Sequence, residues 1–171
     1  TCVDSAGPPR EMKPMMDGQV RLRLGAVAGR VGLHRRLLPV AGKGESGVEE
    51  IVQPIYSRWL NQSPKIDTTI LAGLGQVELH LVTQTDDGPL ASQSLNGAVA
   101  ELSGALGEDL VSTDGAVLEA VVGDLLRARG WWVAFAESCT GGLATSRMTD
   151  IPGSSAYLES SLVVYSNPGK C

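Results

Sequence analysis

Cysteine is scarce in this chain: Cys2, Cys139 and Cys171 are the only three, and two of them stand at the extreme ends. Three scattered thiols make no disulfide framework, so a reduced, cytoplasmic setting is the simplest expectation. Histidine is scarcer. His34 and His80 stand alone, without a second ligand at helical or finger spacing, and no metal site is expected. No apolar run approaches the ~18 residues of a membrane helix. Thr1–Arg10 carries charge and paired prolines where a signal peptide would be apolar. A surplus of positive charge is missing too: 14 Lys plus Arg against 19 Asp plus Glu give −5, which argues against a protein that coats nucleic acid by charge alone.

What is present suffices for a core. Of 171 residues, 43% are apolar and 19% charged, in keeping with one ordinary domain or two small ones. Charge is uneven: residues 1–45 hold eight basic and four acidic side chains, whereas residues 46–171 hold six and fifteen. The chain begins without Met and stops one residue after a lysine, in a strand-to-loop passage. We read it as a segment of a longer protein.

Residues 1–33 are rich in Gly, Pro and Arg, with a rigid turn at Gly7-Pro8-Pro9-Arg10-Glu11 and a short helix over about Pro14–Leu24. From residue 34 the pattern sharpens. His34–Ala41 alternates as a strand. Ser46 and Glu49 have capping-box spacing before a helical stripe of Val48, Ile51, Val52, Ile55, Tyr56, Trp59 and Leu60, with Pro54 as a kink. Thr68–Ala72 and Gln76–Thr83 read as strands, the second alternating Val77, Leu79 and Leu81 against Gln76, Glu78 and His80. After an Asp-Asp-Gly-Pro turn, Leu90–Leu106 reads as a helix stopped by Gly107, and Asp109–Ser112 as a closing strand. This β-α-β-β-α-β order is that of an α+β module of split βαβ, ferredoxin-like or nucleic-acid-binding-like type.

A second unit begins near residue 113. A helix stripe runs from Val117 to Leu126, with Arg127 and Arg129 in its last turn and Gly130 as its stop. Trp131–Ala136 reads as a strand covered on both faces, Thr140–Thr149 as a helix and Ser161–Tyr165 as another buried strand. All three tryptophans read as core. Helix–strand–helix–strand is the start of an α/β, three-layer domain.

Chemistry concentrates in this second unit. Glu137-Ser138-Cys139-Thr140-Gly141-Gly142 joins a strand to a helix, where hydroxyls and backbone N–H groups suit a phosphate or carboxylate. From spacing alone, Ser138 and Thr140 are more simply helix caps. Ser155 lies in a Gly-Ser-Ser turn, and Lys170 is the nearest conventional strong base along the chain. A lysine can activate a serine once its charge is disfavoured, although such a turn and such a lysine are ordinarily just a turn and a solvated cation. Cys139 beside a helix start is a second nucleophile candidate, read as a packed side chain. Gly44-Glu45-Ser46-Gly47 has the spacing of a KH glycine loop, but Glu45, Glu49 and Glu50 would repel phosphate.

Three ordered motifs resemble one family. Ala136-Glu137-Ser138-Cys139-Thr140-Gly141-Gly142, then Thr149–Tyr157, then Val164-Tyr165-Ser166-Asn167-x-x-Lys170 are similar to the start of the C-terminal, nicotinamide mononucleotide amidohydrolase domain of the competence/damage-inducible protein family CinA. Upstream, Gly7–Met15 resembles the tail of that family's molybdopterin-binding-like domain. The stretch Val40–Ser46 and the module that follows resemble its KH-type linking domain. The resemblance therefore implies three pieces: 1–33, 34–112 and 113–171. It implies hydrolysis of the carboxamide of nicotinamide mononucleotide, with Ser155 as nucleophile, Lys170 as base, Tyr165 holding that lysine, and Ser138, Thr140, Gly141 and Gly142 binding substrate. No cofactor is implied for the amidase, and a divalent metal only for the family's N-terminal domain. The partners implied are a small nucleotide and a second copy in a homodimer, with neither nucleic acid nor membrane. The family's C-terminal domain continues for roughly a hundred further residues, so residues 1–171 alone are expected to be inactive. The rival readings are nucleotide- or molybdopterin-like binding without catalysis, a nucleic-acid-binding KH-type linking module, and a structural connector.

Overall fold

The computed structural model describes residues 13–14, 16–27, 32–73 and 75–170. The Gly7–Glu11 turn lies outside them. In the expected first helix, Met16–Val20 forms a π-helical turn that runs into α1 (Arg21–Val27).

The first unit is built on β3. Its strand partners are β1 (Gly32–Ala41) and β2 (Ile66–Ala72), both antiparallel to β3 (Gln76–Thr85), in the order β1-β3-β2. Alternation decides the faces: Val77, Leu79, Leu81 and Thr83 are buried while their neighbours along β3 are not. Leu79 lies opposite Leu38 on β1 and Ile70 on β2. Against that face pack α2 (Glu45–Tyr56) and α3 (Gly88–Leu106), contributing Val48 and Val52, and Leu95, Leu102 and Leu106. Trp59 sits in a 3-10 turn, Ser57–Asn61, and completes this core at 3% exposure.

Two expectations fail here for local reasons. The capping box of Ser46 and Glu49 is not formed: α2 starts earlier, after Gly44, with no side-chain cap. Glu49 instead accepts a hydrogen bond from the Tyr56 hydroxyl at 2.6 Å. The closing strand at Asp109–Ser112 is reduced to a 3-10 turn (Gly107–Asp109) and one antiparallel bridge, Val40 to Leu110. The Val111 N–H donates to the Pro39 carbonyl at 2.8 Å, but proline has no N–H to return, so the ladder stops.

The start of α3 is well determined. Asp87 accepts from the Leu90 N–H at 2.9 Å, and a proline occupies the first turn. Asp87→Ala is expected to destabilise the protein by about 1 kcal/mol, read as a lower denaturant midpoint; an unchanged midpoint would remove the cap from the account.

The second unit holds α4 (Leu118–Arg129), β4 (Val133–Glu137), α5 (Leu143–Thr149) and β5 (Leu158–Val163). Gly130, at φ 63°, ends α4 as expected. Strands β4 and β5 run parallel, which confirms the α/β class. They are not covered on both faces, however. Leu162 is 69% exposed, and Trp131 and Trp132 precede β4 at 62% and 60% exposure. Of the three tryptophans, only Trp59 is core. An ion pair between Glu119 and Arg147 ties α4 to α5.

Candidate functional site

Parallel pairing fixes where each candidate residue falls. Val133 lies opposite Leu158 and Glu137 opposite Val163, so β4 and β5 start at one edge and finish at the other. Ser138, Thr140, Gly141 and Gly142 follow β4, and Tyr165 and Lys170 follow β5. These two groups share the carboxyl edge of neighbouring parallel strands, the edge where open α/β sheets bind ligands.

Ser155 lies elsewhere. It occupies the 3-10 turn Ser154–Ala156 that leads into the start of β5, whereas Lys170 occupies the turn Pro168–Lys170 beyond its end. Six residues of strand at ~3.3 Å each separate those turns. The turns carrying Ser155 and Lys170 therefore flank opposite ends of β5. The amino edge also holds the last turn of α4, where Arg127 approaches Gly153. Ser155 and Lys170 are exposed, and Tyr165 is 75% exposed.

The loop between β4 and α5 is ordered by a residue the sequence reading passed over. Glu137, only 6% exposed, accepts from the N–H groups of Ala144 and Thr145 at 3.0 and 2.9 Å and from the Thr145 hydroxyl at 2.6 Å. The other early N–H groups of α5 bond inside the turn: Leu143 to the Thr140 carbonyl at 3.1 Å, and Ser146 to that of Gly142 at 2.9 Å. Neither Ser138 nor Thr140 caps this helix, whose N-cap is Gly142. Gly141 and Gly142 adopt φ of 61° and 96°, where a side chain would be strained. The helix start, expected to be capped by Ser138 or Thr140, is instead capped by the Glu137 carboxylate. Its signal in the sequence was an acid at the end of an apolar strand, eight residues before a threonine.

The Thr145 hydroxyl, with help from the Thr145 and Ala144 N–H groups and the Thr140 hydroxyl, lowers the Glu137 pKa from 4.5 to about 2 against the opposing effect of desolvation. The unfolded chain takes up this proton near the ordinary value and the folded chain only near 2. The stabilisation is therefore complete above pH 4.5 and lost as pH falls through about 2. Melting temperature is expected to drop across that window more steeply for the wild type than for Glu137→Gln; parallel profiles would refute the assignment.

Other candidates carry less. Cys139 is an exposed free thiol. Among the described residues, no group of three or more His, Cys, Asp or Glu side chains could hold a metal, and no helix is long and apolar enough to cross a membrane. Gly44 begins α2 beside a cleft of about 350 Å³ lined by Lys43, Glu45 and Gln76. Lys43 pairs with Asp109 at 3.2 Å, so the basic group nearest the glycine loop already has a carboxylate.

Comparison with known proteins agrees with the motifs. Residues 115–171 match the CinA C-terminal domain family. The chain is 39% identical over 164 residues to a CinA-like protein of Koribacter versatilis, covering 96% of this chain and 39% of that protein. It is 35% identical over 164 residues to a CinA-like protein of Solibacter usitatus, covering 96% of the chain and 38% of the relative. It is 41% identical over 167 residues to a competence-damage inducible protein of Moorella thermoacetica, covering 96% and 39%. The CinA resemblance is thus borne out along nearly the whole chain, which spans about two-fifths of the length of these curated relatives.

Proposed function

We propose that this chain is a segment of a nicotinamide-nucleotide amidase, an enzyme that converts nicotinamide mononucleotide to nicotinate mononucleotide and ammonia. In this reading residues 113–171 open the amidohydrolase domain, residues 34–112 are a KH-type linking domain, and residues 1–33 are the tail of a molybdopterin-binding-like domain. The observation that carries it is the placement of Ser138–Gly142 and Tyr165–Lys170 on one carboxyl edge of a parallel pair.

The chemistry is acyl transfer. Ser155 gives its hydroxyl proton to the free amine of Lys170 and attacks the carboxamide carbon. The tetrahedral intermediate collapses as the lysine returns that proton to the leaving nitrogen, releasing ammonia. Water then clears the acyl-enzyme by the same route. Tyr165 orients the lysine, and Ser138, Thr140, Gly141 and Gly142 hold the nucleotide. No cofactor is assigned to these steps.

Because Ser155 and Lys170 flank opposite ends of β5, the reading assigns the dyad to two chains, the serine from one and the lysine from its partner. A lysine acts as a base only as the free amine. The paired state of Lys43 and the acidic α2 start support a small nucleotide rather than nucleic acid as the partner. Incubating the full-length protein that carries this chain with nicotinamide mononucleotide is expected to release ammonia, which residues 1–171 alone do not. Silence from the full-length protein would reject the amidase reading.

A further inference from the structure

Resting on that reading, we propose that Glu137 is a positioning residue that holds both arms of the carboxyl edge, the Ser138–Gly142 loop and the segment leading to Tyr165 and Lys170. Its side chain takes three hydrogen bonds from the start of α5. Its main-chain carbonyl accepts from the Val164 N–H at 2.9 Å, one residue before Tyr165. A second link runs through hydroxyls: Thr145 Oγ1 lies 2.6 Å from both Glu137 Oε1 and Ser161 Oγ on β5.

Proton counting gives that link a direction. A carboxylate can only accept, so the single Thr145 hydroxyl proton points to Glu137. Ser161 must then donate to Thr145. The chain Ser161 to Thr145 to Glu137 is a one-way series of donors ending on the carboxylate, and it pins β5 to α5 and β4 together. A glutamine has the same shape but only one acceptor oxygen. Its NH2 group would face the N–H of Ala144 or the donors of Thr145, and the series would break.

The test uses the full-length protein and ammonia release. Glu137→Gln and Thr145→Val should each lower kcat on the order of 10–100-fold, the scale of a small misplacement at a reacting centre, with KM changed less than kcat. Thr145→Ser, which keeps the hydroxyl, should restore kcat to near the wild-type value. Melting curves identify any variant that fails to fold; should Glu137→Gln do so, the Val and Ser pair at Thr145 decides. Full kcat in Thr145→Val, or equal losses in Thr145→Val and Thr145→Ser, would overturn the proposal while leaving the amidase reading intact. An inactive wild type would overturn the amidase reading, and the positioning role with it.

Discussion

Full-length Ser155→Ala and Lys170→Ala proteins are each expected to lose ammonia release on the order of 10⁴-fold, as removal of a nucleophile or its base commonly does. Co-expressed, the two dead variants should regain about a quarter of wild-type activity. The figure follows from twofold symmetry: random pairing makes half of the dimers mixed, and each mixed dimer carries one site with an intact serine and an intact lysine. Fold should be preserved in both. Ser155 is exposed, and the turn around it is held by main-chain bonds, from Ala156 N–H to the Gly153 carbonyl at 3.1 Å and from Tyr157 N–H to that of Ser154 at 3.0 Å. No recovery in the mixed preparation, with both parents dead, would return the dyad to a single chain. Full activity in Ser155→Ala would remove the serine from the reaction altogether.

Periodic burial is legible in a sequence; the strand edge on which a residue falls is not. Alternation in β3 and the Leu95–Leu106 stripe announced the first core, because period and burial are the same fact seen twice. The stops at Gly107 and Gly130 were equally legible, both lying at positive φ. The fate of residues 109–112 was not, since it depends on which residue of β1 they meet, and that residue is a proline. Trp131 and Trp132 look like strand core but precede β4 and face solvent. The motifs singled out Ser155 and Lys170, yet spacing says nothing of edges. Only the parallel register reveals that a strand lies between them. Glu137 was quoted within a motif and left without a role, because its hydrogen bonds reach residues seven and eight positions away.

The packing of Gly123 against Tyr157 supplies a test of the second unit. Gly123 is buried in the middle of α4, and a Cβ built there would stand 2.7 Å from the Tyr157 hydroxyl oxygen, 2.8 Å from Cζ and 2.9 Å from Cε1. Two effects oppose each other in Gly123→Ala. Alanine in a helix interior gains about 1 kcal/mol over glycine. Against it stands overpacking, about 1–3 kcal/mol in a closely packed core, and here the ring is fully buried with Arg127 over it at 5.6 Å. A rigid neighbour puts the cost at the upper end, so a net loss of about 2 kcal/mol is expected in the full-length protein. The Tyr157 hydroxyl is buried without a hydrogen-bond partner among the described residues, so Tyr157→Phe alone should be tolerated, removing an atom whose burial is unfavourable. Combined with Gly123→Ala it should recover about half of the loss, because Cζ and Cε1 remain in the way. Denaturant midpoints of the two single variants and the double variant measure this. A Gly123→Ala protein as stable as the wild type would mean that α4 and Tyr157 do not meet as described.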